Sequence, residues 1–154
     1  MDIVTLLDPE SVRLINSVTS KKRLFQELGE VAASTCAVKA DEAAVALQER
    51  ESLGPTGVGH GVALPHARIS GLSEVKGIFM RLERPVEFDA VDKKPVDLVF
   101  ALFAPEGAGV DHLKALAVVS RTMREPGLCA KLRANSDVST LHAILTNAQS
   151  TQAA

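Results

Sequence analysis

An α/β domain is what this sequence predicts, and three observations predict it. Residues 96–103 (VDLVFALF) form a strongly apolar run with β-branched and aromatic members, the mark of a buried strand. Stretches with apolar residues at helical spacing lie before and after that run. Glycine and proline mark the main breaks between the periodic segments, at Gly54-Pro55, Pro85, the 105–109 loop and Pro126-Gly127. Strands interleaved with helices imply one sheet covered by helices, and 154 residues suit a single domain.

The elements follow in order. Residues 12–16 alternate apolar and polar, as a short strand does. Thr19-Ser20 offers an N-cap for a helix over 21–33, where Leu24, Leu28, Val31 and Ala32 recur at helical spacing and Gly29 weakens the helix slightly. Asp41 is placed to cap a second helix through Ala43, Ala44, Leu47 and Arg50, which stops at Gly54-Pro55. A glycine-rich loop comes next. Residues 76–82 then read as a strand ended by Pro85, and residues 96–103 as the buried one. After a flexible loop at 105–109, Asp111 caps a helix with Leu113, Leu116, Ala117 and Met123 on one face. Pro126-Gly127 breaks it, and a shorter helix runs over 128–134. Asp137 caps a last helix carrying Leu141, Ile144 and Leu145, with His142 structural or exposed. The domain spans 1–148, and residues 149–154 are expected to fray.

Composition narrows the function classes. A formal net charge of -2 leaves no basic footprint for nucleic acid. No stretch approaches the ~20 apolar residues of a membrane span, and the N-terminus lacks the form of a signal peptide. Cytoplasm is the expected compartment. Cys36 and Cys129 are far apart and share no Cys-x-x-Cys spacing, so two free buried thiols are expected. Trp and Tyr are absent, which weakens any case for stacking on sugars or bases.

The run from Gly54 to His66 carries the chemistry. Four glycines within residues 54–61 let backbone approach backbone, and Pro65 fixes the geometry just before His66. Read as a shaped loop, it delivers one imidazole for nucleophilic or proton-transfer chemistry; read plainly, it is a glycine-rich turn with an incidental histidine. Arg50, Thr56 and His112 are the groups that could converge on His66. A histidine nucleophile, a guanidinium and a second imidazole form a phosphoryl-transfer set, to which glycine-loop amides add fixed donors. Singly, each has a plainer reading: Arg50 as a solvated helix-end charge, His112 as a surface or capping group, Thr56 as a turn residue. His60, His66 and His112 could instead supply imidazoles to zinc, but no Cys or carboxylate cluster completes that set. Glu106 and Asp111, beside the second loop, are expected to face solvent. No hydrolase-type Ser or Cys motif and no Walker-type Gly-Lys-Ser/Thr is present, which argues against direct use of ATP.

Taken together, Arg50-Glu51, Gly54-Pro55-Thr56-Gly57-Val58-Gly59, Gly61-Val62-Ala63 and Pro65-His66 resemble the active-site signature of enzyme IIA of the bacterial phosphotransferase system, mannitol/fructose class. The resemblance continues through PVEFDA (85–90), PVDLVF (95–100), DHLKALA (111–117) and LCAKLR (128–133), and covers nearly the whole chain. The Thr19-Ser-Lys-Lys-Arg23 opening of the first long helix is similar to the nitrogen-regulatory branch. The resemblance implies a mixed sheet flanked by helices. It also implies a phosphorelay in which an HPr-like carrier passes a phosphoryl group to His66, at Nε2, with His112 and Arg50 as the second histidine and the arginine. Thr56, Gly57, Gly59 and Gly61 are then phosphate-binding candidates, and neither metal nor cofactor is implied. Members of that branch regulate partners such as potassium transport systems, sensor kinases and stringent-response enzymes. A sugar-specific enzyme IIA feeding a fructose- or mannitol-type permease is the alternative, and a binding regulator that is not phosphorylated is a second. Pro55 stands where the family usually has Ser, so no phosphate role is carried onto it, and the pattern does not require a histidine at His60.

Overall fold

The computed structural model describes residues 1–153, with side chains described through Asn147. Six strands form one mixed sheet: β1 (Val12–Ile15), β2 (Gly57–Gly59), β3 (Val62–Ala63), β4 (His66–Ile69), β5 (Lys76–Val86) and β6 (Val96–Pro105). Their order is β1-β5-β6-β3-β2, and β4 follows β3 along the same edge of β6. β1 runs parallel to β5, β5 antiparallel to β6, and both β3 and β4 parallel to β6.

β6 is buried along almost its whole length, as its apolar run requires. Leu98, Phe100, Leu102 and Ala104 face one core, while Val99, Ala101 and Phe103 face the other. The first core is closed by α1 (Ile3–Leu6), α4 (Gly109–Met123), α5 (Pro126–Arg133) and α6 (Val138–Ala153). The second is closed by α2 (Lys21–Cys36) and α3 (Ala40–Glu51). Gly29 has a purpose that helix propensity hides. A Cβ there would collide with the Ala40 carbonyl oxygen, so glycine is what lets α2 and α3 pack this closely.

Several boundaries differ from the sequence expectation. α1 was not anticipated; Asp2 caps it by accepting from Thr5 N at 3.0 Å, and it buries Ile3 and Leu6. α2 continues to Cys36 and ends where Ala37 turns left-handed. Asp41 lies inside the first turn of α3, whose N-cap is Lys39. Asp111 is likewise a first-turn residue of α4 rather than its cap; there and in α3 the acid favours the helix N-terminus by charge. β5 runs through Pro85 because its pairing with β6 is interrupted between Arg81 and Val86, where no N–H is needed. Pro126 occupies the first turn of α5 instead of separating the helices. Asp137 does cap α6, accepting from Thr140 N and Oγ1 at 2.9 Å each. The expectation of fraying at 149–154 falls on residues whose side chains lie outside those described.

His142 Nε2 lies 3.0 Å from the Leu7 carbonyl and ties α6 to the segment after α1, a structural role. Cys36 and Cys129 are both free, the first half-buried and the second buried. No helix among the described residues is long and apolar enough to cross a membrane.

Candidate functional site

His66 is delivered by a strand, not by a loop. The glycine run folds as β2 and β3, antiparallel with a bulge between Gly57 and Gly59, and His66 opens β4. Pro65 carries no N–H, but its carbonyl accepts from Leu102 N at 3.0 Å, which registers the start of β4 on β6. Ala67 and Ile69 pack into the α2/α3 core. By strand alternation His66 and Arg68 turn to the opposite side, toward α4.

There His66 meets His112. Their ring centroids are 5.5 Å apart with planes at 74°, an edge-to-face contact. His112 lies in the first turns of α4, and it is buried because it shares the inward stripe with Ala115, Val119, Thr122 and Met123. The expected apolar face of α4 is therefore partly out of phase, since Met123 is on the inward stripe but Leu113 is not. Leu113 is 67% exposed and borders the histidine pair, while the half-buried Leu116 borders the pair and also packs against the first core. Arg50 arrives from the last turn of α3, which packs on β4; its Nη1 donates to the Gly54 carbonyl at 3.0 Å. The resulting open cleft, about 470 Å³, is lined by Ala46, Arg50, Leu53, His66, Arg68 and His112 among others.

The hydrogen bonds assign the protons. His66 Nδ1 is 2.9 Å from the Leu64 carbonyl. A carbonyl only accepts, so Nδ1 carries the hydrogen and the neutral ring keeps its lone pair on Nε2. Burial holds the His66 pKa below the ordinary 6.5; Arg50 pushes the same way, while the Leu64 bond and Glu51 oppose. His112 is lowered as well, first by burial and then by His66 and Arg68. Its Nε2 is buried without a hydrogen-bond partner, the only such side-chain atom among the described residues. An orphaned buried nitrogen is costly and calls for an account.

The remaining candidates are elsewhere. Thr56 is 5% exposed, and its N–H and hydroxyl both donate to the Glu51 carboxylate, at 2.7 and 2.8 Å to Oε1. Its hydroxyl is thus committed away from the cleft. Gly57 packs against Ala90, and a Cβ there would come within 2.7 Å of the Ala90 side chain. Gly59 and His60 line a separate cavity with Cys129 and Arg133. Gly61 has φ 77°, and a Cβ there would lie 2.6 Å from Arg133 Nη2 and 2.8 Å from Asp97 Oδ1. That close approach lets Arg133 bridge Asp97 and the His60 carbonyl, each at 2.8 Å. His60, on that other cavity, does not join His66 and His112 in a common ligand set. Pro55, Glu106 and Asp111 are exposed.

Sequence reasoning missed Arg68, Leu53, Leu113, Leu116 and the buried Glu51. Arg68 had a signal, since a strand beginning at His66 puts residue i+2 on the same face. For Leu113 and Leu116 there was none, because an apolar residue on an amphipathic helix reads as core; Leu53 lies in the turn after α3.

Fold and site define a class: an α/β domain that presents a neutral, partly buried histidine pair and an arginine at one edge of a mixed sheet. Residues 5–148 match the family described as "Phosphoenolpyruvate-dependent sugar phosphotransferase system, EIIA 2", and the chain belongs to that family. A nitrogen regulatory protein of Bradyrhizobium diazoefficiens is 44% identical over 145 residues, covering 94% of this chain and 95% of that one. The crystal structure of nitrogen regulatory protein IIA-Ntr from Neisseria meningitidis superposes with a TM-score of 0.87 at 38% identity, covering 94% of this chain and 99% of that one. IIA mannitol from Escherichia coli, 18% identical, shares the fold with a TM-score of 0.75 over 90% of this chain and 97% of that one. Within the family, these relatives place the chain with the nitrogen-regulatory enzymes IIA.

Proposed function

We propose that His66 is a phosphoryl acceptor. The group comes from a phosphohistidine carrier of the HPr type, and its presence or absence on His66 controls partner proteins. The observation that carries this reading is the His66 Nδ1–Leu64 carbonyl bond, which leaves the Nε2 lone pair available in the cleft. In-line transfer breaks the P–N bond on the carrier and forms one at His66 Nε2. With the carrier's other ring nitrogen protonated, its imidazole leaves neutral, and the positive charge passes to the His66 ring, which keeps its Nδ1 proton. Arg50 and His112 supply the charge and the hydrogen bond that the phosphoryl oxygens need. A phosphoryl oxygen is also the partner that His112 Nε2 lacks. Leu53, 84% exposed, and Leu113 form an apolar rim suited to a carrier or target that docks around the histidine pair.

Regulation follows from charge. Phosphorylation adds nearly two negative charges at neutral pH to a surface that now presents Arg50 and Arg68. A partner that docks on the apolar rim therefore meets two different surfaces. Targets of the kind the family regulates, among them potassium transport systems, sensor kinases and stringent-response enzymes, are candidates for this role.

Intact mass after incubation with phosphoenolpyruvate, enzyme I and the HPr-like carrier tests the reading. One acid-labile phosphoryl group on the wild type and none on His66→Ala is the expected result. Equal phosphorylation of His66→Ala overturns the assignment. No uptake by the wild type, with active upstream carriers, supports a binding regulator that is not phosphorylated. Onward transfer to a fructose- or mannitol-type permease supports the sugar-specific alternative.

A further inference from the structure

We propose that Glu51 and Thr56 are positioning residues for phosphoryl transfer: through the Leu64 backbone they hold His66 in the tautomer that frees Nε2. The proposal rests on His66 as the acceptor.

Three consecutive links connect them. The Glu51 carboxylate takes the Thr56 N–H at 2.7 Å to Oε1 and 3.1 Å to Oε2, and the Thr56 hydroxyl at 2.8 and 3.0 Å. The Thr56 carbonyl accepts from Leu64 N at 2.9 Å. The Leu64 carbonyl accepts from His66 Nδ1 at 2.9 Å. The coupling is positional. Thr56 is gripped on its N–H side by the carboxylate and on its carbonyl side by Leu64. Leu64 is in turn bounded by Pro65, whose ring fixes φ. A displaced Thr56 therefore shifts the oxygen that selects the His66 tautomer.

Structure alone gives a poor reason for a carboxylate at this place. The Glu51 side chain is only 4% exposed, and Lys21 Nζ stands 3.9 Å from its Oε1. It is also the last residue of α3, the end of a helix that disfavours negative charge. A glutamine could accept the same two bonds with less desolvation. What the charge adds is strength, since bonds to an ionised acceptor are about twice as strong as neutral ones. That suits a joint that must stay fixed while a partner docks and a phosphoryl group is handed over. The same link assigns Thr56 a place in the site without any contact to the phosphoryl group.

The test is Glu51→Gln, followed by long-range ¹H–¹⁵N NMR of the His66 ring, amide exchange at Leu64 and the rate of phosphorylation by the phosphorylated HPr-like carrier. The wild type is expected to show the Nδ1–H tautomer alone at neutral pH. E51Q is expected to show a mixture, Leu64 exchange faster by about tenfold and transfer slower by a similar factor. Thr56→Ser, which keeps both donors, should match the wild type in all three. Thr56→Val removes only the hydroxyl bond and should fall between, and it carries the test if E51Q does not fold. A folded E51Q or T56V that melts lower yet keeps the wild-type tautomer and transfer rate overturns the proposal. If the wild type takes up no phosphoryl group while E51Q still shifts the tautomer, the acceptor reading fails and the positional link stands.

Discussion

The His112 ring stands edge-on to the His66 ring at a centroid distance of 5.5 Å, and its buried Nε2 has no hydrogen-bond partner. An unsatisfied polar atom in a packed helix face lowers stability. It is kept beside His66, whose Nδ1 is already committed to a carbonyl. Stability has been given up beside the residue proposed as the phosphoryl acceptor.

His112→Leu therefore separates stability from transfer. It removes the orphaned nitrogen and keeps an apolar side chain in the core. Its melting temperature should equal or exceed that of the wild type. Phosphorylation of His66 should slow by about 100-fold, the usual scale for one lost donor to a transferring group. Paired thermal melts and single-turnover transfer check it, and a variant that is both less stable and fully active argues against this role for His112.

Arg50 acts on His66 by charge. Its guanidinium is one cause of the lowered His66 pKa. Arg50→Ala should raise that pKa toward 6.5, as followed by NMR titration of the ring, and slow transfer by at least about tenfold. Arg50→Lys should restore part of the charge effect but not the planar, multi-donor grip on the phosphoryl oxygens.

Stability should fall on mild acidification. The folded state holds His66 and His112 below 6.5, so between their folded values and 6.5 the unfolded chain binds more protons. Their contribution is complete above about pH 6.5 and is lost as pH drops through that window. Urea midpoints measured from pH 7.5 down to pH 5 should decline, and His112→Leu should decline less steeply. An identical slope in the two proteins would mean that His112 does not titrate in this window.

Leu53 and Leu113 offer a docking test free of folding effects. At 84% and 67% exposure they contribute little to the core. Leu53→Asp or Leu113→Asp should leave the melting temperature within about 1 °C, because exposed substitutions cost little. The apparent KM for the phosphorylated carrier should rise severalfold with kcat nearly unchanged. Intact KM values would remove the apolar rim from the docking surface.

Gly29 supplies a test of packing over propensity. Helix propensity alone makes Gly29→Ala stabilising by about 1 kcal/mol. The Ala40 carbonyl in the way makes it destabilising instead, by about 1–3 kcal/mol as overpacking does. Denaturant unfolding decides the sign.

Much of the fold was legible because its signals are local. The buried strand over residues 96–103, the two helices before the glycine run and the Asp137 cap each follow from period, apolar content or a capping side chain. The misses share a cause, since each is decided by a neighbour distant in sequence. β2, β3 and β4 read as loop because glycine and proline weaken any strand signal, yet β6 lies alongside and supplies hydrogen bonds to Gly61 and Pro65. Pro85 reads as a stop, but the missing partner at that point of β5 makes it harmless. On α4, Leu113 looked like core and His112 like surface; the pairing with His66 reverses them.

The sequence by itself determined the α/β class and the family motifs, and it pointed to His66, His112 and Arg50, which the structure brings to one cleft. Class, motifs and candidate residues are matters of residue type and short-range order. Only the tertiary structure decided the tautomer of His66, the depressed basicity of both histidines and the commitment of Thr56 to Glu51 rather than to the cleft. It also turned Arg68 and two leucines outward around the histidine pair. Each of these depends on which backbone carbonyl, carboxylate or ring is brought within a few ångströms. That proximity is set by sheet pairing and helix packing, to which local periodicity is blind.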